Sequence, residues 1–217
     1  MRAVPCQARD NRARPPPMIL RPDVLLALIV FCIVSSVTPG PNNMMLMASG
    51  VNYGVRRTMP HLLGVAFGFA LMVALVGTGL DALFRLAPWA FPVMKYAGAA
   101  YLLWLAWKIA QAGTVKDGAA AGKPLGFFGA AAFQWINPKG WVMAISALTA
   151  YAVSADYATS IAVVALAYLI ACFPCAGAWV VFGAAMRRWL ADPARARIFN
   201  WTMAALLVAS ILPTLQE

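Results

Sequence analysis

A chain of 217 residues that is 63% hydrophobic and 11% charged cannot bury its apolar surface in one soluble core, since soluble domains are about 45–50% apolar and about 25% charged. Its formal charge of +10 does not mark a nucleic-acid protein, because the basic residues fall in short clusters between apolar runs, the pattern of a cytoplasmic membrane face rather than of one basic stripe. No phosphate-binding loop of the G-x-x-x-x-G-K type is present, so no built-in nucleotide hydrolysis is expected.

Residues 1–17 carry Arg2, Arg9, Arg12 and Arg14 and then Pro15, Pro16 and Pro17. They lack the apolar core of a secretory signal. They read either as a disordered basic arm or as an upstream extension from a misplaced start codon, the folded chain then beginning at Met18. Beyond them, six segments approach the roughly 20 apolar residues of a spanning helix. The first runs from Asp23 to about Val51 and the second from about Leu62 to Leu83. The third runs from about Phe91 to Gln111 and the fourth from about Leu125 to Val153. The last two run from about Tyr157 to Met186 and from about Ile198 to Leu215.

The connections are short and unequal in charge. Arg56 and Arg57 lie in the first, Lys116 and Lys123 in the third, and Arg187, Arg188, Arg195 and Arg197 in the fifth. That face is expected to be cytoplasmic, which puts both termini on the periplasmic side. The Gly/Ala-rich linker of residues 114–124 separates a first set of three helices, residues 18–113, from a second, residues 125–217. Three spans per set turn the second set upside down. The expected fold is an all-α polytopic membrane protein, six transmembrane helices in a 3+3 inverted repeat with a proline-broken first helix in each half.

Those two breaks are where chemistry is expected. Thr38-Pro39-Gly40-Pro41-Asn42-Asn43 interrupts the first segment, and Asn137-Pro138-Lys139 interrupts the fourth. Each proline lacks an N–H and frees a carbonyl one turn earlier. Exposing such groups to lipid costs several kcal/mol each, so they must face protein, water or a ligand. Paired interruptions in two halves are the best sequence pointer to a transporter binding site. A half-helix N-terminus suits a carboxylate and freed carbonyls suit an ammonium group. Lys139 is the one charge deep in its segment, placed to attract a carboxylate, to pair with a helix C-terminus or to lock a conformation. The bland alternatives are a packed kink at the first break and a lysine reaching the interface at the second.

His61 and Asp81 bracket the second segment as candidates for proton coupling, with plain interfacial residues as the alternative. Gly64 and Gly68 read as close helix packing. Of the four cysteines, Cys32, Cys172 and Cys175 lie in apolar runs and read as filler, and Cys6 lies in the basic arm.

With these residues in place, the chain resembles the LysE/RhtB superfamily of amino-acid exporters, nearest its threonine/homoserine branch. The resemblance is carried by Thr38-Pro39-Gly40-Pro41-Asn42, Gly54-Val55-Arg56-Arg57, Gly64 with Gly68, Gly98-Ala99-Ala100-Tyr101-Leu102 and Asn137-Pro138-Lys139. It implies an inner-membrane secondary transporter, not an enzyme, driven by the proton motive force, with an amino-acid substrate and membrane lipid as partners and no cofactor or metal. A homodimer is compatible with it. No carboxylate lies near the first break, so a neutral substrate, threonine-, homoserine- or leucine-like, is expected. Two other classes compete. A thiol–disulfide electron carrier needs a reactive cysteine beside each break, and none lies near Pro138. A structural subunit has no use for polar residues at both breaks.

Overall fold

The computed structural model describes residues 18–80, 89–111, 123–152 and 156–210, and these are helical throughout, with no strand among them. Seven α-helices follow in order: α1 (Pro22–Val37), α2 (Pro41–Leu75), α3 (Ala90–Ala110), α4 (Phe127–Phe133), α5 (Pro138–Tyr151), α6 (Tyr157–Met186) and α7 (Pro193–Ala209). Short 3-10 turns precede α1, α5 and α7, and a five-residue π turn, Val76–Leu80, extends α2. Residues 1–17 with Cys6, Asp81, and most of the linker of residues 114–124 lie outside the described residues.

Proline sets the helix starts. α1, α2, α5 and α7 each begin with one in the first turn, where the missing N–H costs nothing. Asp192 adds a side-chain cap to α7, accepting from the Arg195 amide at 2.9 Å.

The first and fourth segments are thus each split in two, at Thr38–Gly40 and at residues 134–137. The boundary between the first two segments differs from expectation. Arg56 and Arg57 are helical, and α2 runs from Pro41 to Leu75 with one non-helical residue, Gly54. It is not straight. Gly54 sits at φ 74° and ψ 172°, a conformation that favours glycine. Ser49 and His61, twelve residues apart, lie within 3.1 Å side chain to side chain, whereas a straight helix would hold them about 18 Å apart. The chain therefore doubles back at Gly54, and residues 41–53 and 55–75 are two legs of a hairpin.

Two helical stretches are long and apolar enough to cross a membrane by length and composition, Pro41–Gly79 and Tyr157–Met186. The reversal at Gly54 means that the first of these is not one traverse. Its second leg plus the π turn is about 37 Å long at 1.5 Å per residue, enough for a bilayer core of about 30 Å.

α6 is the centre of the assembly, packed along both legs of α2 and against α1. The crossing with the first leg is backbone to backbone. A Cβ on Gly50 would strike the Val180 carbonyl, and one on Gly183 would strike the Met47 carbonyl. The second leg meets α4 the same way: Gly64 faces the Phe127 carbonyl and Gly68 faces Ala131. The expectation of close packing at that glycine pair is met. Outward faces are apolar, with Phe128 85% exposed and Leu26 and Ile170 both 63% exposed, which suits lipid rather than water.

Buried clusters mark two ends. Met47, Val51, Leu190 and Phe199 gather with Ile109 and Met186 at one. Leu28, Leu148 and Ile161 gather with Leu25, Val76 and Tyr151 at the other.

Candidate functional site

The two breaks face each other. Lys139, in the first turn of α5, reaches across to the end of α1. Its Nζ donates to the Thr38 carbonyl at 2.8 Å, to Thr38 Oγ1 at 2.7 Å and to the Pro39 carbonyl at 3.3 Å. The stem crosses directly over Gly40, where a Cβ would come within 2.7 Å of Lys139 Cδ. Glycine at this position gives the lysine its passage.

The carbonyls freed at the end of α1 are all accounted for. Ser35 O accepts from Thr38 Oγ1 at 2.9 Å, and Ser36 O accepts from Asn43 Nδ2 at 2.8 Å. Val37 O accepts from Trp179 Nε1 of α6 at 3.1 Å. Thr38 O takes a second donor, Asn43 Nδ2 at 2.8 Å, and Pro39 O is held by Lys139. Five successive carbonyls thus receive donors from the break itself, α2, α5 and α6, as a helix end away from water requires.

A second link joins the halves by an amide pair. Asn42 Nδ2 donates to Gln134 Oε1 at 2.8 Å, and Gln134 Nε2 donates back to Asn42 Oδ1 at 3.2 Å. Gln134 is fully buried and donates to the Ala130 carbonyl as well. It was not singled out in the sequence. A buried glutamine three residues before the Asn-Pro pair was the available signal.

Asn137 is different. It is 2% exposed, and its side-chain oxygen has no hydrogen-bond partner. Between the breaks lies a cleft holding about 430 Å³ of empty space, lined by Ser35, Ser36, Gly40, Asn42, Asn43, Asn137 and Lys139 on its polar side and by Val65, Phe69, Met143, Cys172 and Ala176 on its apolar side, with Gly140 at its floor. No acidic residue is among its described lining residues. Thr38 and Pro39 are exposed at its edge, and Pro41 and Pro138 are buried as the first residues of their helices.

The sequence-expected residues Thr38 through Asn43 and Asn137 through Lys139 are therefore brought together. His61 is not among them. It is 1% exposed in a second cavity, its Nδ1 on Ser49 and its Nε2 without a partner. No group of three metal-binding side chains occurs among the described residues. Cys32, Cys172 and Cys175 are free thiols.

A family model described as LysE type translocator matches residues 33–211. The chain belongs to that family. The superfamily resemblance read from the paired breaks therefore holds. Curated relatives include the cysteine/O-acetylserine efflux proteins of Escherichia coli, Shigella flexneri and Shigella sonnei. Each is 34% identical over 194 residues, covering 87% of this chain and 96% of the relative. No solved structure matches the chain.

Proposed function

We propose that this LysE-family translocator exports a small neutral amino acid from the cytoplasm, across the bacterial inner membrane, at the cleft between its two broken helices. One observation carries the reading. Lys139 of one half is held on the opened helix end of the other, in a cleft with no carboxylate among its described lining residues. A cationic amino acid would find no counter-charge there, whereas a zwitterion finds both of its poles answered. Its carboxylate takes Lys139, and its ammonium takes the unpartnered oxygen of Asn137, which is costly to leave buried and unpaired. The state seen is the locked one, with the Thr38 and Pro39 oxygens standing where the carboxylate would bind.

The substrate is drawn from the neutral class expected from the sequence, which ran from threonine and homoserine to leucine. The serine and asparagine side chains on the cleft's polar wall favour its small polar members. The relatives are named for cysteine and O-acetylserine efflux, which points the same way.

The architecture proposed is six crossings in two inverted sets of three. α1 with residues 41–53 makes one broken crossing, and α4 with α5 makes the other. The second leg of α2, α3, α6 and α7 complete the count. The buried cluster of Val51, Ile109, Met186 and Leu190 supports this, because it draws the basic first, third and fifth connections to one end. By the bias of lysine and arginine that end is cytoplasmic, with both termini periplasmic. The proton motive force is the proposed drive, with His61 and Asp81 as the candidate coupling residues.

The test is efflux. Cells expressing the chain and loaded with dipeptides of cysteine, serine, threonine, homoserine or leucine should release a neutral amino acid faster than controls, and a protonophore should slow it. Equal release across that set defeats the substrate assignment.

A further inference from the structure

The second cavity lies at the basic end, along residues 45–53 and next to the cleft-lining Asn42 and Asn43. It holds about 820 Å³ of empty space. Asn52, Lys108 and Lys123 line it with His61, and no acidic residue is among the described residues that line it. Both lysines are exposed. Lys108 rests over the Trp104 ring at 4.6 Å, and the single ion pair among the described residues is Arg21–Asp23, far from either. Two ammonium groups thus share a concave surface that no described carboxylate neutralises. A low-dielectric wall focuses such a field outward and raises the local concentration of anions.

The inner end of the cavity is polar and incomplete. The Ser49 hydroxyl and His61 Nδ1 share a hydrogen bond at 3.1 Å, and the buried Nε2 of that ring is left without a partner. Behind lies a thin partition. Met45 lines this cavity and packs with Phe133, while the neighbouring Asn42, paired with Gln134, lines the cleft.

We propose that this cavity is an entry vestibule, in which Lys108 and Lys123 capture the carboxylate of the amino acid arriving from the cytoplasm before it passes the Met45–Phe133 partition to the cleft. The inference rests on the export reading above. An anionic lipid headgroup offers similar chemistry, so the test is made in vesicles of phosphatidylcholine alone, with purified full chain and internal cysteine as the probe.

The double variant Lys108→Gln with Lys123→Gln should raise the half-saturating internal cysteine concentration about fivefold and leave the maximal rate within about twofold. Added salt should raise the wild-type value toward that of the variant and leave the variant unmoved. The pair Lys108→Arg with Lys123→Arg should retain wild-type values. Unchanged half-saturation in the glutamine variant overturns the vestibule while leaving the export reading intact. A shift seen only after phosphatidylglycerol is added overturns it too, because the lysines would then serve the headgroup. Absence of wild-type efflux for cysteine and for every other neutral amino acid of the dipeptide set removes the substrate reading and the vestibule with it.

Discussion

The two breaks share a proline and an asparagine but work in opposite senses. The first exposes five carbonyls and has every one of them capped. The second sends Lys139 onto two of them, exchanges an amide pair with Asn42 through Gln134, and leaves an oxygen of its own unpaired at Asn137. At the lysine the first half only accepts, and at the amide pair the two halves exchange donors. Two breaks that match in outline are unequal in their polar inventory, and the contacts between them tie the two parts of the chain together.

The largest test of that inequality is Lys139→Ala, which strips the shared donor from Thr38 and Pro39. Efflux should fall at least about tenfold while the protein still reaches the membrane, since charge-assisted bonds of this kind contribute about 1.5–3 kcal/mol each. Normal efflux at normal membrane level would return Lys139 to a plain interfacial lysine.

Next comes Asn137→Leu, where function and stability should part. Removing a buried acceptor that has no partner should leave the thermal midpoint in detergent unchanged or raise it, by up to ~1 kcal/mol of stability. Efflux should nonetheless drop about tenfold, the loss of ~1.4 kcal/mol of substrate interaction. A fall in both would mean that Asn137 only holds the turn.

The amide pair between the halves should show coupling. Asn42→Leu and Gln134→Leu each leave one buried amide unpaired, so the two together should cost less stability than their sum by ~1 kcal/mol. Strict additivity in thermal unfolding would show that the pair does not bridge the halves. The smallest effect belongs to Trp179→Phe, which removes a single cap from Val37. It should cost ~1 kcal/mol of stability and little efflux.

Much of this was legible in the residues. Proline-glycine-proline cannot continue a helix, so the break at residues 38–40 followed from chain chemistry alone, as did the start of α5 at Pro138. α6 begins and ends at the expected Tyr157 and Met186 because its apolar run is bounded by charge on both sides. The hairpin at Gly54 was harder to read. Arg56 and Arg57 suggested a loop, yet their helical propensity is good, and a single glycine with positive φ turns the chain without any loop at all. The pairing of Lys139 with Thr38 was one of three readings open to that lysine. Its partner lies 101 residues away, and no local pattern encodes which half receives it. Gln134 was missed for the same reason, since its role appears only when Asn42 is set against it. His61 stood out as the lone histidine, but its distance from the cleft is a property of the fold.

The glycine crossings of α2 with α6 have a mechanical consequence. Where Gly50 and Gly183 let two backbones touch with no side chain between them, neither helix can slide without driving a carbonyl into the other. The pair forms a spine. Any rearrangement that opens the cleft to one face and then the other has to be taken up elsewhere, in α1 and α5, whose mutual hold at the breaks is a handful of hydrogen bonds that can be exchanged one at a time.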